Sequence, residues 1–177
     1  MSRIAVVGTS CSGKTTLARR IADSTGIPHH ELDTLFWRPN WTPAPIDEFR
    51  AAVEAIVAGD QWVIDGNYSR VRDIIWPRAT DLVWLDLPFP VVLWRAVTRT
   101  ARRVITREQL FAGNRETIRF VLFDRDSILW WVISTHHRRR RTYQAQFRER
   151  AEPAFRVHRI RNLADAEHML ARLAGGE

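Results

Sequence analysis

The stretch Gly8-Thr9-Ser10-Cys11-Ser12-Gly13-Lys14-Thr15 decides the fold of this chain. Its spacing is G-x-x-x-x-G-K-T, the pattern of the phosphate-binding loop in nucleotide-binding proteins. In such a loop the backbone N–H groups surround phosphate oxygens, and the N-terminus of the following helix adds a positive dipole. Lys14 is the only lysine among the 27 lysine and arginine residues. This bias indicates that arginine cannot replace it, because outer phosphates require a compact ammonium rather than a planar guanidinium.

The residues on both sides of the loop support this interpretation. Arg3 to Val7 is a short apolar, β-branched run typical of a buried parallel strand. Leu17, Ala18 and Ile21 have helical spacing, and Gly26 with Pro28 ends that helix. The order is therefore strand, glycine-rich loop, helix. A glycine-rich turn that binds nothing is the alternative, and the single lysine argues against it.

Length and composition predict one domain with a substantial core. The chain has 177 residues, 45% of them hydrophobic, and one cysteine, which excludes an intramolecular disulfide. No apolar run approaches the roughly 18 residues that span a bilayer, and no signal peptide precedes the first strand. We therefore expect a cytoplasmic protein that does not enter the membrane. The net charge of +7 predicts an anionic partner such as nucleotide phosphates or nucleic acid.

Alternating strand and helix patterns predict a parallel α/β sheet. We expect strands at residues 28–32, 62–65, 82–86 and 155–160, and helices at about 47–57, 90–104, 116–136, 142–150 and 163–173. The helix at 116–136 contains Trp130 and Trp131, which we expect to lie in the core. A polar stretch at Gly113-Asn114 predicts a flexible tip between two helices.

Three carboxylates follow predicted strands, at the edge where ligands of open parallel sheets bind. They are Asp33, Asp65 and Asp86. A phosphate-loop enzyme needs a carboxylate near Thr15 to hold Mg²⁺ or its water shell. The pattern alone leaves all three open, as well as a role in capping loops.

The chain resembles the nucleoside-monophosphate-kinase-like group of P-loop kinases. Residues 62–70, Trp-Val-Ile-Asp-Gly-Asn-Tyr-Ser-Arg, are similar to the adenylate kinase strand that ends in Asp-Gly shortly before an arginine. A branch described as adenylate-kinase-like or topology-modulation-protein-like is more similar still, in residues 32–37, 64–68 and 84–88. The resemblance implies a three-layer α/β/α P-loop NTPase fold, with a parallel five-stranded sheet in the order 2-3-1-4-5 and a helical, arginine-rich lid at residues 99–119.

The resemblance also implies the cofactors ATP and Mg²⁺ and a set of site residues. Asp65 becomes the preferred Mg²⁺ residue beside Thr15. The predicted nucleotide-binding residues are Gly8, Ser10, Cys11, Ser12, Gly13, Lys14, Thr15 and Thr16. The predicted catalytic residues are Lys14, Asp33 and the lid arginines Arg99, Arg103 and Arg115, with Arg102 and Arg119 as further candidates. Lid arginines would stabilise the charge of the transferring phosphoryl group.

The acceptor side is less defined. Related shikimate kinases place an acceptor-binding carboxylate at the position of Asp33. The predicted acceptor-binding residues are Asp33, Trp37, Asp65, Asn67, Tyr68 and Arg70. Asn67-Tyr68 departs from the aromatic-proline pair of adenylate kinases, so the resemblance does not select AMP over other acceptors.

Two functions of different classes follow. The first is Mg²⁺-ATP-dependent phosphoryl transfer to a nucleotide, a nucleoside or a hydroxylated metabolite, by a monomer or homodimer. The alternative is a nucleic-acid-binding ATPase or regulator of DNA topology, for which Trp130-Trp131 and the run Arg138 to Arg141 would supply stacking groups and charge.

Overall fold

The computed structural model describes residues 2–115, 128–149 and 156–174. Its strands are β1 (Arg3–Gly8), β2 (His29–Glu31), β3 (Trp37–Arg38), β4 (Thr42–Pro43), β5 (Trp62–Asp65), β6 (Asp81–Leu85) and β7 (Arg156–Ile160). Its α-helices are α1 (Lys14–Thr25), α2 (Leu32–Phe36), α3 (Ile46–Val57), α4 (Arg72–Ile75), α5 (Phe89–Thr106), α6 (Ile128–Glu149) and α7 (Leu163–Ala174).

The central sheet has five strands in the order β2-β5-β1-β6-β7, and every neighbouring pair is parallel. Counted along the chain within this sheet, the order is 2-3-1-4-5, which confirms the predicted topology. The strands β3 and β4 form a separate antiparallel hairpin. The carboxyl ends of β1, β2 and β5 therefore meet at one edge, beside the start of α1.

Helices cover both faces of the sheet and complete the three layers. On one face, Leu17 and Ile21 of α1 pack with Met169 and Leu170 of α7. On the other face the core contains residues of α3, α4 and α6, including Phe49, Ile75 and Tyr143. The three central strands β1, β5 and β6 are buried almost throughout, which explains their largely apolar sequences.

A third apolar cluster joins the loop after β1 to α5 and α6. It contains Cys11, Leu87, Val92, Ala96 and Val132. Cys11 has a left-handed φ of 62° and is 8% exposed. Its small side chain therefore fills a crowded position between the loop and the two helices.

Some predicted boundaries are wrong. The strand predicted to reach Leu32 ends at Glu31, and Leu32 begins α2, so Asp33 lies in the first turn of a short helix. Gly66, just after β5, lies against Leu32, because a Cβ on it would stand 2.8 Å from the Leu32 Cβ atom. Packing between Gly66 and Leu32, which are far apart in the sequence, therefore fixes the position of the turn into α2.

The predicted break at the arginine run is also wrong. A single helix, α6, continues through Arg138 to Arg141. The helix persists because residues on its inner face, such as Tyr143, are buried. Trp130 is 53% exposed and does not lie in the core. The side chain of Trp131, residues 116–127 of the predicted helix and Arg119 of the predicted lid lie outside the described residues.

Within the described ranges, none of the helices combines the length and apolar character needed to cross a bilayer.

Candidate active site

The loop between β1 and α1 has the backbone conformation of an anion cradle. Gly8 and Gly13 have φ values of 154° and 98°. A Cβ on Gly8 would stand 2.9 Å from the carbonyl oxygen of Leu85, so a larger residue does not fit there. Ser12 is fully buried, and its Oγ has no hydrogen-bond partner among the described residues. An orphaned buried hydroxyl in such a loop fits a ligand oxygen.

Lys14 lies against this loop. Its Nζ donates a hydrogen bond to the Thr9 carbonyl oxygen at 3.1 Å. Burial lowers the pKa of Lys14, and the carboxylates of Asp33 and Asp65 act in the opposite direction. The ammonium is thus held within electrostatic reach of Asp33 and Asp65, two of the three acids that the sequence predicted at this edge.

Thr15 and Asp65 come together as predicted. The Thr15 Oγ1 donates to Asp65 Oδ2 at 2.7 Å, and Glu31 Oε1 lies 3.3 Å from the same hydroxyl. The other carboxylate oxygen of Asp65, Oδ1, contacts His29 Nε2 at 2.8 Å. Asp65 is 2% exposed, so its orientation is fixed from both sides.

Glu31 and His29 were not selected from the sequence. Burial raises the pKa of Glu31, and the nearby carboxylates of Asp65 and Asp33 raise it further. The contact of His29 with Asp65 depends on the parallel register of β2 and β5. The only feature of the sequence that could have indicated these two residues is their alternation, at positions 29 and 31, along a short strand.

These residues fit Mg²⁺ bound together with a nucleotide. Among the described residues, no group of three or more His, Cys, Asp and Glu side chains could hold a metal ion alone. Mg²⁺ in nucleotide sites is typically held by one or two protein groups, phosphate oxygens and water. The paired oxygens of Thr15 and Asp65 supply such a partial set.

Asp33 is joined to the aromatic side of the site. Tyr68 donates a short hydrogen bond from its hydroxyl to Asp33 Oδ1. Burial raises the pKa of Tyr68, and the negative charge of Asp33 adds to this effect. Phe36 contacts both Tyr68 and Trp37, with ring centroids 4.5 and 4.9 Å apart. Asp33, Trp37 and Tyr68 therefore share one neighbourhood beside Lys14.

Asn67 connects the loop to α6. Its side chain exchanges hydrogen bonds with both backbone groups of Gly8. The hydroxyl of Tyr143 also donates to Asn67 Oδ1, at 2.8 Å. These hydrogen bonds hold the Asn67 side chain between Gly8 and Tyr143.

The arginines nearest the loop are not those that the sequence selected. Arg95 of α5 is exposed, and its Nη1 donates to the Ser12 carbonyl oxygen at 2.8 Å. Arg139 of α6 is close enough to Lys14 for its charge to lower the pKa of Lys14. Both lie in arginine-rich segments, and the sequence gives no indication of which members turn inward.

The predicted lid arginines occupy varied surroundings. Arg99 is half-buried, and its Nε has no hydrogen-bond partner in the described ranges. Arg103 Nε lies 3.9 Å from Glu108 Oε1. Arg115 is exposed, and its carbonyl oxygen accepts a hydrogen bond from Trp41 Nε1 at 3.4 Å.

The expected flexible tip is attached to the β3–β4 hairpin. Asn114 is 6% exposed. Its Oδ1 accepts from the Trp41 N–H at 3.0 Å, and its Nδ2 donates to the Arg38 carbonyl oxygen at 2.9 Å. The backbone of Trp41 is left-handed, with φ 54°, which is unusual for a bulky residue. The segment after α5 is therefore joined to the hairpin that carries Trp37.

The remaining predicted site residues are Ser10, Thr16, Arg70 and Asp86. Ser10 is half-buried and Thr16 exposed. Arg70 is exposed, and its carbonyl oxygen accepts a hydrogen bond from Arg50. Asp86, the alternative Mg²⁺ candidate, is buried and forms ion pairs with Arg140 and Arg159. That carboxylate is therefore already engaged in joining α6 to β7.

Comparisons with known proteins bear on the fold. No protein-family model matches the chain, and no curated protein matches its sequence. Its structure is similar to a gluconokinase from Sinorhizobium meliloti 1021, with 20% identity, a TM-score of 0.53, and coverage of 99% of this chain and 94% of that one. It is also similar to shikimate kinase from Aquifex aeolicus vf5, with 17% identity, a TM-score of 0.56, and coverage of 98% and 97%.

The chain has the fold of a P-loop kinase. At sequence identities of 17% and 20%, the similarity to these two structures shows a common fold alone. Any activity has to be argued from the residues at the site.

Proposed function

We propose that this protein transfers the γ-phosphoryl group of Mg²⁺-ATP to a hydroxyl group of a small acceptor. The observation that carries the proposal is the meeting of Lys14, Thr15 and Asp65 with Asp33 at one sheet edge. A protein that only binds a nucleotide needs Lys14, Thr15 and Asp65. Asp33 is an additional carboxylate beside the place where the outer phosphate would lie.

The loop and Lys14 would hold the β- and γ-phosphates, and Lys14 would leave the Thr9 carbonyl to do so. Thr15 and Asp65 would hold Mg²⁺, which when bound neutralises charge on the phosphates. Asp33 would orient the acceptor hydroxyl and receive its proton. The acceptor oxygen would bond to the γ-phosphorus while the bond from that phosphorus to the bridging oxygen breaks, and ADP would leave.

Arginines would stabilise the charge that spreads over the transferring group. Arg95 and Arg139 lie near the loop and lysine in this structure. Arg99, Arg103 and Arg115 stay candidates that would act after closure of the segment at residues 99–119. Because the Asn114 contacts join this segment to the hairpin, closure would move both together.

The likeness of the fold to gluconokinase and shikimate kinase is compatible with a small hydroxylated acceptor. Among the residues that the structure describes at the site, none selects a nucleic acid, although Trp130 and Arg138 are exposed on α6. We therefore keep DNA or RNA binding as an outcome of the test, and place the activity in the cytoplasm as the sequence predicts.

The test is a screen of ATP consumption with nucleotides, nucleosides and hydroxylated metabolites as acceptors. We expect acceptor-dependent ADP formation that Lys14→Ala abolishes. Lys14→Arg should not restore it, because the guanidinium differs in size and shape from the ammonium. Salt-sensitive nanomolar binding of DNA or RNA without transfer to any small acceptor would contradict the proposal.

A further inference from the structure

The hydroxyl of Tyr68 is joined to the carboxylate of Asp33. It donates a short hydrogen bond to one oxygen of that half-buried carboxylate, Oδ1. Among residues 2–115, 128–149 and 156–174, no hydrogen bond reaches the other oxygen, Oδ2. One oxygen of Asp33 is therefore held by the protein, and the other is available to a ligand.

The ring of Tyr68 is itself fixed by two other aromatic side chains. Its centroid lies 4.5 Å from that of Phe36 and 5.2 Å from that of Phe49. Phe36 ends α2, and Phe49 of α3 is 1% exposed. Because closely packed rings have little freedom to rotate, the hydroxyl of Tyr68 has a defined position relative to α2, the helix that carries Asp33.

Tyr68 keeps its proton in these surroundings. Burial raises the pKa of Tyr68, and the negative charge of Asp33 and the hydrogen bond between the two groups raise it further. The neutral phenol donates a hydrogen bond and does not take up a proton. Of this pair, Asp33 is therefore the residue that can receive a proton from a substrate.

The residue before Tyr68 attaches the same segment to the phosphate-binding loop. Asn67 exchanges hydrogen bonds with both backbone groups of Gly8, the first residue of that loop. Two consecutive residues, Asn67 and Tyr68, therefore join the loop to Asp33. This connection fixes the position of the carboxylate relative to the place where the outer phosphate would lie.

Lys14 is a competing partner for the same carboxylate. Burial lowers the pKa of Lys14, and the charge of Asp33 acts in the opposite direction, because the two groups attract each other. A carboxylate paired with this ammonium would be less able to take a proton, and the ammonium would be less able to bind phosphate. The hydrogen bond from Tyr68 opposes such a pairing, because it holds Asp33 on the aromatic side of the site.

We propose that Tyr68 is a positioning residue for the transfer: it holds Asp33 Oδ1 so that Oδ2 receives the proton of the acceptor hydroxyl. The proton moves to Oδ2 as the acceptor oxygen bonds to the γ-phosphorus, ADP leaves, and Tyr68 keeps its own proton. This inference rests on the proposed phosphoryl transfer. The sequence predicts Tyr68 as a residue that binds the acceptor, whereas the inference makes it act through Asp33.

The variant Tyr68→Phe removes the hydroxyl and keeps the ring that packs on Phe36 and Phe49. The assay uses the acceptor that gives the fastest ADP formation in the screen. We expect kcat to fall roughly 10- to 100-fold, because a hydrogen bond to a charged group is worth about that factor. KM for the acceptor and KM for ATP should each stay within about threefold, because neither molecule loses a contact with the protein.

A double-mutant cycle with Asp33→Asn shows whether Tyr68 acts through Asp33. In the Asp33→Asn background there is no carboxylate to position, so Tyr68→Phe should lower kcat by less than about a further twofold. Tyr143→Phe is the matched control, because Tyr143 is the other tyrosine of the chain and its hydroxyl donates to the neutral amide of Asn67. Its effect on kcat should be the same in the wild-type and Asp33→Asn backgrounds.

A measurement without any acceptor tests the hydrogen bond itself. The chain contains two tyrosines, so protein labelled with ¹³C at the tyrosine ζ-carbon gives two NMR signals, which Tyr68→Phe assigns. The signal of Tyr68 should shift in Asp33→Asn, because a neutral amide replaces the charged partner of its hydroxyl. The signal of Tyr143 should not shift.

Four results would overturn the inference, and only the last removes the proposed function as well. An unchanged Tyr68 signal in Asp33→Asn would show that the two side chains are not bonded. A higher KM for the acceptor with unchanged kcat in Tyr68→Phe would assign the hydroxyl to the acceptor. Equal losses of kcat from Tyr68→Phe in both backgrounds would exclude action through Asp33. Absence of transfer to every acceptor would reject phosphoryl transfer itself.

Discussion

The two acidic residues beside Lys14 are held by different partners. Asp65 is tied to Thr15, whereas Asp33 is tied to Tyr68. Two carboxylates with different partners are suited to different tasks. Asp65 faces the expected position of Mg²⁺, and Asp33 faces the aromatic side, where an acceptor would lie.

The variant Asp33→Asn tests this division. The amide can still accept the hydrogen bond from Tyr68 but cannot take a proton, so we expect kcat to fall by roughly 10²- to 10⁴-fold. The affinity for ATP, measured by calorimetry in the presence of Mg²⁺, should hardly change. Asp65→Asn is the comparison variant and should weaken Mg²⁺-ATP binding. If Asp33→Asn weakens it as much, Asp33 serves the metal instead.

The sequence predicted Lys14 and Thr15 from the strict spacing of the loop between a strand and a helix, whereas Asp65 was preferred over Asp33 and Asp86 through the resemblance to adenylate kinases. It did not predict Glu31 or His29 at Asp65, because that contact depends on the alignment of β2 with β5. It also did not predict Arg95 or Arg139. In a chain with so many arginines, only packing decides which ones face the loop.

At the scale of elements, the hairpin β3–β4 and the segment after α5 form one unit through Asn114. The sequence indicated a polar break there but not its attachment, because the partners are backbone groups of Arg38 and Trp41 more than 70 residues away. Backbone partners leave no signal in the sequence. The continuity of α6 through its arginine run was missed for a similar reason, since burial of its inner face decides it.

The variant Asn114→Ala tests the coupling between these two elements. Loss of the two hydrogen bonds should loosen the hairpin, admit water to the site, and raise the ratio of ATP hydrolysis to phosphoryl transfer several-fold. The measurement compares ADP formation with and without acceptor. Asn162→Ala is the control. Asn162 is not one of the residues of the candidate site, and its Oδ1 accepts a hydrogen bond from the Asp165 N–H. An unchanged ratio in Asn114→Ala would show that the two elements act independently.

At the scale of the whole molecule, buried charge joins the layers. Asp86 is 4% exposed and pairs with Arg140 of α6 and Arg159 of β7. Arg159 also lies 4.8 Å from the Trp84 ring centroid. The two arginines share this one carboxylate, so the cluster accounts for one unit of the net charge of +7.

The variant Asp86→Ala should lower the free energy of unfolding by about 2–4 kcal/mol, because it leaves two partly buried arginines without their shared carboxylate. Urea unfolding measures this change. Glu167→Ala is the control: it breaks the exposed pair with Arg20 and should cost less than about 1 kcal/mol. An equal decrease in the free energy of unfolding for Asp86→Ala and Glu167→Ala would mean that Asp86 does not join the layers.

The alternation of strand and helix along the chain predicted a parallel sheet, and the order of its five strands was predicted from the resemblance to P-loop kinases. The surroundings of Asp33 were not predictable, because the hydrogen bond from Tyr68 and the contact of Tyr68 with Phe36 depend on packing that sequence spacing does not reveal.

The most direct measurement of the central claim follows the γ-phosphoryl group itself. The protein is incubated with Mg²⁺ and ATP labelled with ¹⁸O in the γ-phosphoryl oxygens, together with the acceptors that stimulate ADP formation. The products are then analysed by mass spectrometry. The account predicts labelled phosphate on the acceptor, and none with Lys14→Ala. Label found only in inorganic phosphate, with the acceptor unchanged, would contradict it.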